Sequence, residues 1–203
     1  MAEVKRKYYD SGKLEKEWFE VNGKKEGEFK YYCRNGNLSV ISNYVNGKKQ
    51  GEYKQYHENG QLWIIYHYVN GKKNGEYKKY YPNEQLHEIY NYINGKIEGE
   101  RKEYYWDGQL KQISNWVNDR FYGEFKDYYS NGQLELVCYF VNTNFEGEYK
   151  EYNQNGQIRK FENYVNGKLH GEIKFYDENG QLKNSHYYLG GKKVSHNTFL
   201  KKK

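Results

Sequence analysis

The side chains able to do chemistry are scattered along this chain, not gathered. Six histidines, His57, His67, His87, His170, His186 and His196, would serve as metal ligands or acid–base groups if cysteines or carboxylates recurred beside them at ligand spacing, and none do. Carboxylates are plentiful because glutamate recurs at Glu28, Glu52 and Glu76, where each most simply neutralises nearby lysines. A residue that repeats evenly along a chain rarely converges on one centre. No glycine-rich loop follows a strand and opens a helix, so no phosphate cradle is expected. The expectation is a non-enzymatic protein with no catalytic residue, no metal site and no cofactor.

What positions these residues is a repeat of 24 residues. Gly-Glu-Tyr/Phe-Lys begins at Gly27, Gly51, Gly75, Gly123 and Gly147, with degenerate forms at Gly99 and Gly171. Asn-Gly-Gln-Leu keeps the same step through Gly36, Gly60, Gly108, Gly132, Gly156 and Gly180, and Val-Asn-Gly-Lys through Asn22, Asn46, Asn70, Asn94 and Asn166. Copies start near residues 3, 27, 51, 75, 99, 123, 147 and 171. Residues 3–194 therefore read as a single array, with 195–203 as a short basic tail.

Composition limits the kind of fold. Hydrophobic residues make up 36% of the chain and 26 of its residues are Tyr, so a thick aliphatic core is not available. Tyrosine rings packed beside the stems of Lys and Glu suit a thin, half-exposed sheet instead. The net charge of +6 is modest and spread over the copies, which gives no strong case for nucleic acid. No segment approaches the ~18 apolar residues of a membrane span, and the opening Met-Ala-Glu-Val-Lys-Arg-Lys has no apolar stretch behind it. Cys33 and Cys138 are expected as free thiols, since more than four copies separate them. A cytoplasmic location is expected, in the host cell if the source is viral.

Each copy, counted from the Gly of Gly-Glu-Tyr-Lys as position one, carries Asn-Gly at positions nine and ten and again at twenty and twenty-one. Asn-Gly tolerates the positive φ angles of a type I′ turn, so two such turns per copy predict an all-β antiparallel meander of sixteen strands. At ~4.8 Å per strand it would be an elongated, twisted sheet ~75 Å long. Two-residue turns fix the register: Val69 opposes Lys72, Tyr68 opposes Lys73, and Tyr66 opposes Gly75. One face then carries Tyr53, Leu62, Tyr66 and Tyr68, and the other Glu52, Lys54, Tyr56, Ile65, Val69 and Lys72. The intervals between turns are unequal, which predicts a bulge at the recurring Gly. Charged ends, Val4-Lys5-Arg6-Lys7 and Lys201 to Lys203, would discourage edge pairing.

Copies such as Gly51-Glu52-Tyr53-Lys54-Gln55-Tyr56-His57-Glu58-Asn59-Gly60-Gln61-Leu62, followed by Tyr68-Val69-Asn70-Gly71-Lys72-Lys73-Asn74-Gly75, resemble the variant MORN repeat of bacterial antitoxin-like proteins and large DNA viruses. The resemblance covers essentially the whole chain. It implies a twisted sheet of hairpins acting as a scaffold or interaction module, with phospholipid contact proposed for some members. The regular Tyr-x-Gly-x-Trp run of better-known MORN repeats is missing.

Two features of the array point to surfaces. Lysines at position twenty-two, Lys24, Lys48, Lys72, Lys96, Lys168 and Lys192, would line one edge at ~10 Å intervals, where they face solvent or meet anionic phosphate. Position twenty-three is Lys25, Lys49 and Lys73, then Ile97, Phe121, Phe145 and Leu169, then Lys193. The apolar four oppose Tyr92, Trp116, Phe140 and Tyr164, which makes a strip for a protein partner or self-association, or for internal packing if the sheet curls over it. The leading expectation is a non-catalytic scaffold binding protein through the aromatic face. The alternatives are an antitoxin-like protein neutralising a toxin and a phospholipid-surface adaptor using the lysine edge.

Overall fold

The structure is a computed structural model that describes residues 2–202. Met1 and Lys203, the latter part of the expected basic tail, lie outside the described residues. The chain divides into two units. The first runs to Glu98 and adds Trp106–Gly108; the second comprises Gly99–Tyr105 and Gln109 onward.

In the first unit lie β1 (Glu3–Tyr8), β2 (Leu14–Val21), β3 (Lys24–Tyr32), β4 (Leu38–Val45), β5 (Lys48–Tyr56), β6 (Leu62–Val69), β7 (Lys72–Lys73), β8 (Gly75–Tyr80) and β9 (Leu86–Ile93). β10 (Lys96–Tyr104) begins in the first unit and continues in the second. The second then holds β11 (Leu110–Val117), β12 (Arg120–Tyr128), β13 (Leu134–Val141), β14 (Asn144–Phe145), β15 (Gly147–Tyr152), β16 (Ile158–Val165), β17 (Lys168–Leu169), β18 (Gly171–Tyr176), β19 (Leu182–Leu189), β20 (Lys192–Val194) and the helix α1 (His196–Leu200). The fold is all-β and antiparallel, built from hairpins, as the repeat predicts. Among the described residues there are twenty strands rather than sixteen, because the bulge divides three of them and β20 adds a short last strand. The tail, read as merely basic, forms α1, whose Ser195 side chain accepts from the Thr198 N–H.

The two Asn-Gly signals fold differently, which corrects the expectation of two type I′ turns. At Asn70-Gly71 both residues have positive φ, 50° and 82°, and Val69 faces Lys72 directly, as expected for type I′. At Asn59-Gly60 only the glycine is left-handed, at 87°. There the Gly60 N–H donates to the His57 carbonyl and the His57 N–H to the Gln61 carbonyl, closing a three-residue loop with a glycine bulge. Asn59 is used instead for its side chain, whose Oδ1 accepts from the Gln61 N–H at 3.1 Å.

The bulge at the recurring Gly is present. Tyr44 faces Lys49 and Ser42 faces Tyr53, so two steps along β4 match four along β5, around Gly51 at φ 78°. One expected pair therefore fails: Gly75 opposes Tyr92, not Tyr66, and Tyr66 stacks on Tyr77 at 5.7 Å. A second register shift at Trp63 sets Leu62 opposite Tyr56. Leu62 thus shares the face of Tyr56, not that of Tyr66, because the extra residue reverses the alternation.

Among the described residues the sheet carries no second layer apart from α1, whose Phe199 packs on Tyr187 at 5.1 Å. Among the described apolar residues only Tyr66, Tyr77, Tyr90, Cys138 and Ile173 are buried. In the first unit Tyr66, Tyr77 and Tyr90 form the core, with Tyr53, Ile64, Tyr68, Tyr92 and Ile97 packed around them. The opposite face mixes ion pairs with an apolar column, Lys54 lying opposite Ile65 and Lys126 opposite Val137. Glu52 pairs with Lys54 at 2.8 Å, and the same two-residue spacing repeats at Glu28–Lys30, Glu76–Lys78, Glu100–Lys102, Glu124–Lys126, Glu148–Lys150 and Glu172–Lys174.

Successive copies are also tied by side chains. The Tyr9 hydroxyl donates to the Tyr32 carbonyl at 2.7 Å and the Tyr129 hydroxyl to the Tyr152 carbonyl at 2.8 Å. Asn155 reaches the Glu178 carbonyl at 3.1 Å. On the other rim, Gly47, Gly71 and Gly95 each donate their N–H to the copy before, at Lys25, Lys49 and Lys73.

Candidate interaction surface

Two of the histidines come together once folded: His57, tilted against Trp63, and His87, stacked on Tyr81, line one cavity with Cys33 and Glu58. His196 stacks on Tyr187 in the second unit. No group of three His, Cys, Asp or Glu is placed to hold a metal among the described residues. Cys33 and Cys138 are free thiols.

Position twenty-three decides the character of the aromatic face. Where it is lysine, the ammonium sits over rings: Lys25 lies 5.5, 4.5 and 5.1 Å from the centroids of Trp18, Phe29 and Tyr44. Lys49 lies over Tyr53 and Tyr68, and Lys73 over Tyr66, Tyr77 and Tyr92. In the second unit Phe121 takes the same place. Its ring is 4.1 Å from Trp116, 5.8 Å from Phe125 and 5.1 Å from Phe140. Phe145 follows suit against Phe140 at 4.7 Å, Tyr149 at 5.6 Å and Tyr164 at 5.0 Å. Leu169 closes the series opposite Tyr164. Aromatic contact has replaced cation–π contact without a change of backbone.

The structure thus joins Trp116, Phe121, Phe140, Phe145, Tyr164 and Leu169 into one strip on the second unit. All six are half-buried. Tyr92 and Ile97, the remaining two of the expected eight, pack instead on the tyrosine core of the first unit. Phe125 and Tyr149 were missed as members. Both sit at position three, which the turn register already assigned to this face, and their rings meet the strip edge-on.

One border of the strip is polar. Tyr149 donates to Glu151 at 2.8 Å and Tyr164 to Glu162 at 2.9 Å. Glu162 is buried and Lys160 pairs with it at 2.9 Å. Burial and then these carboxylates raise both phenols above their ordinary value. Burial pulls Glu151 upward too, but hydrogen bonds from Tyr149 and Arg159 outweigh it and hold the carboxyl below its usual range.

The lysine edge is exposed throughout at Lys24, Lys48, Lys72, Lys96, Lys168 and Lys192. In the first unit the stems of Lys24, Lys48 and Lys72 lie 3.7 to 3.9 Å from where a side chain on Gly47, Gly71 and Gly95 would begin. Arg120 and Asn144 replace lysine in two copies of the second unit. Beside the row stand exposed valines, with Val45 opposite Lys48 and Val69 opposite Lys72. No helix among the described residues is long and apolar enough to cross a membrane.

The family model described as MORN repeat variant matches residues 25–46, 49–70, 73–94, 97–118, 121–142, 145–166 and 169–189. No curated protein matches the chain. Among solved structures, the GtfA/B complex bound to UDP and GlcNAc is similar at 13% identity and TM-score 0.24, over 56% of this chain and 22% of that one. TcdB2-TccC3-Cdc42 is similar at 11% identity and TM-score 0.24, over 92% of this chain and 14% of that one. TcdB2-TccC3 gives 11% identity and TM-score 0.19, over 93% and 13%. The chain spans less than a quarter of the length of each.

Proposed function

Because the chain belongs to the MORN repeat variant family, a family of repeat scaffolds, we propose that it holds a protein partner on the strip Trp116, Phe121, Phe140, Phe145, Tyr164 and Leu169. One observation carries the reading: the array abandons its own lysine at Phe121, Phe145 and Leu169 while keeping the same neighbours around the side chain. Lysine serves the fold at this position in the first unit, so folding alone does not require the rings. Half-exposed aromatic side chains that need not be there for folding are the composition of an interface hot spot.

The test compares the full chain with Phe121→Lys/Phe145→Lys. Proteins captured from the native host are quantified by mass spectrometry, and self-association is followed by sedimentation. The double variant is expected to lose the partner, or the self-association, by tenfold or more while a Lys126→Ala/Lys150→Ala control on the opposite face keeps it. Equal capture by both would remove the strip as the binding surface.

A second reading rests on the edge where exposed valines face exposed lysines, at Val45–Lys48 and Val69–Lys72. Such an edge suits an anionic lipid surface. Co-sedimentation with phosphatidylserine vesicles that persists at low salt and disappears at high salt would favour it, and absence of binding at low salt would end it.

A further inference from the structure

Position seven carries the side chain that ties one copy to the next. The Tyr9, Tyr105 and Tyr129 hydroxyls donate to the carbonyls of Tyr32, Tyr128 and Tyr152. His57 does the same through Nε2, which lies 3.1 Å from the Tyr80 carbonyl, a group that can only accept. Between Tyr9 and His57 in this column stands Cys33, a free thiol with neither ring nor hydroxyl. Among the described residues no side chain donates to the Tyr56 carbonyl, the counterpart of those of Tyr32 and Tyr80.

A second column is short of a ring in the same copy. Positions seven and thirteen pair as rings in the next two copies, His57 with Trp63 at 5.5 Å and Tyr81 with His87 at 4.2 Å. In the copy before them the pair is Cys33 and Ser39, so both rings are replaced by small side chains together. A cavity of about 470 Å³ opens there, lined by Cys33, Ser39, Tyr56, His57 and Trp63. All five are half-buried, so each keeps surface that solvent reaches.

The cavity runs on past Tyr81 and His87, which gives it room for more than one ring. Glu58 and Lys79 also line it and carry opposite charges, so it makes no net demand for an ion. Ring-rich walls with a few polar groups, at this volume, are the usual form of a site for a small neutral molecule.

We propose that this cavity binds a neutral phenol of one or two rings, its ring system in the place left open by Cys33 and Ser39 and against Trp63, its hydroxyl donating to the Tyr56 carbonyl. The ligand supplies from outside what Tyr9 and Tyr129 supply from within the chain. The second unit gives a contrast. Asn153 breaks the same column there, but the following copy presents Asp177 and Lys183 where His57 and Trp63 stand. Neither offers a ring to stack on, so a short side chain at position seven does not by itself make the site. The strip on the second unit plays no part in it.

The test is calorimetric titration of the full chain with 2-naphthol, with 2-methoxynaphthalene and decahydro-2-naphthol as the comparison ligands. Saturable binding of 2-naphthol is expected, several-fold weaker for the ether, which has no hydroxyl to donate, and undetectable for the decahydro compound, which has no flat ring. Cys33→Tyr, which restores the column's own phenol, should weaken 2-naphthol binding tenfold or more. If circular dichroism shows that variant unfolded, Trp63→Ala replaces it with the same expectation. Asn153→Tyr, the same change at the other break in the column, should leave binding unaltered. The site is refuted if the wild type shows no saturable binding, if the ether binds as tightly as 2-naphthol, or if the folded Cys33→Tyr or Trp63→Ala variant binds as the wild type does.

Discussion

Trp116 and Phe121 face each other across the turn at Asn118 and Asp119, with ring centroids 4.1 Å apart. The corresponding pair in the first copies, Tyr44 and Lys49, has the same register. One backbone therefore accepts either a ring or an ammonium at this point, and the choice of residue is free to serve something other than the fold.

The first prediction measures that freedom. Replacing Phe121 and Phe145 by lysine exchanges ring–ring contacts for cation–π contacts of the kind Lys25 and Lys49 make. Each exchange should change stability by no more than about 1 kcal/mol. Urea denaturation of the double variant checks it, and a loss several times larger would mean that the strip is packing the fold requires.

The second concerns Thr143, a β-branched residue held at φ 69° where the copy before has Asp119 and the copy after has Gly167. Left-handed backbone is costly for such a side chain. Thr143→Gly should raise stability by about 1 kcal/mol, the strain relieved exceeding the entropy that glycine adds to the unfolded chain. The reciprocal Gly167→Thr, at φ 73°, should lower it by a similar amount, and thermal melts of the pair read both.

Tyr129→Phe is the third. It keeps the ring and removes the hydroxyl that donates to the Tyr152 carbonyl one copy away. A cost of about 1 kcal/mol is expected, as for one net hydrogen bond. An unchanged melt would show that the bond between copies contributes nothing beyond what water supplies.

The fourth follows from burial of acids in their neutral form. Burial, with Asp127 adding to it, pushes the Cys138 thiol up to about 12 from an ordinary 9.0. Burial likewise raises Tyr66 and Tyr90 above the ordinary 10.0, their hydroxyl partners Tyr68 and Tyr92 adding to it. Folded pKa values above unfolded ones mean that the stabilisation is complete below the unfolded values and is lost as pH rises through them toward the folded ones. The melting temperature should therefore hold level up to about pH 9 and fall steadily to pH 12, with phenolate absorbance appearing late.

How much of this was legible in the sequence turned on local geometry. The period, the all-β class, the pairs Val69–Lys72 and Tyr68–Lys73 and the bulge at the recurring Gly follow from Asn-Gly turns and unequal spacing. What misled was the identity of the two Asn-Gly signals, since the same dipeptide makes a type I′ turn at Asn70 and a glycine-bulged loop at Asn59. The difference goes with the Gln61 N–H donating to the Asn59 side chain within the loop, which no dipeptide reveals. The two register shifts then moved Gly75 away from Tyr66 and Leu62 to the other face, because an extra residue of uncounted size shifts everything beyond it. The strip at Phe121 and Phe145 was visible as a break in a repeat.

Three of the side-chain bonds between copies share one reach. Tyr9 to Tyr32, Tyr129 to Tyr152 and Asn155 to Glu178 each join residues 23 apart. Inserting or losing a single codon between such partners puts every one of them out of step, whereas exchanging one amino acid for another disturbs at most its own contacts. Inheritance in this protein is thereby steered into two channels, drift of identity within a copy of fixed length and gain or loss of copies entire. New binding properties must arise by rewriting a position such as Phe121 while the ruler along which it is placed stays the same.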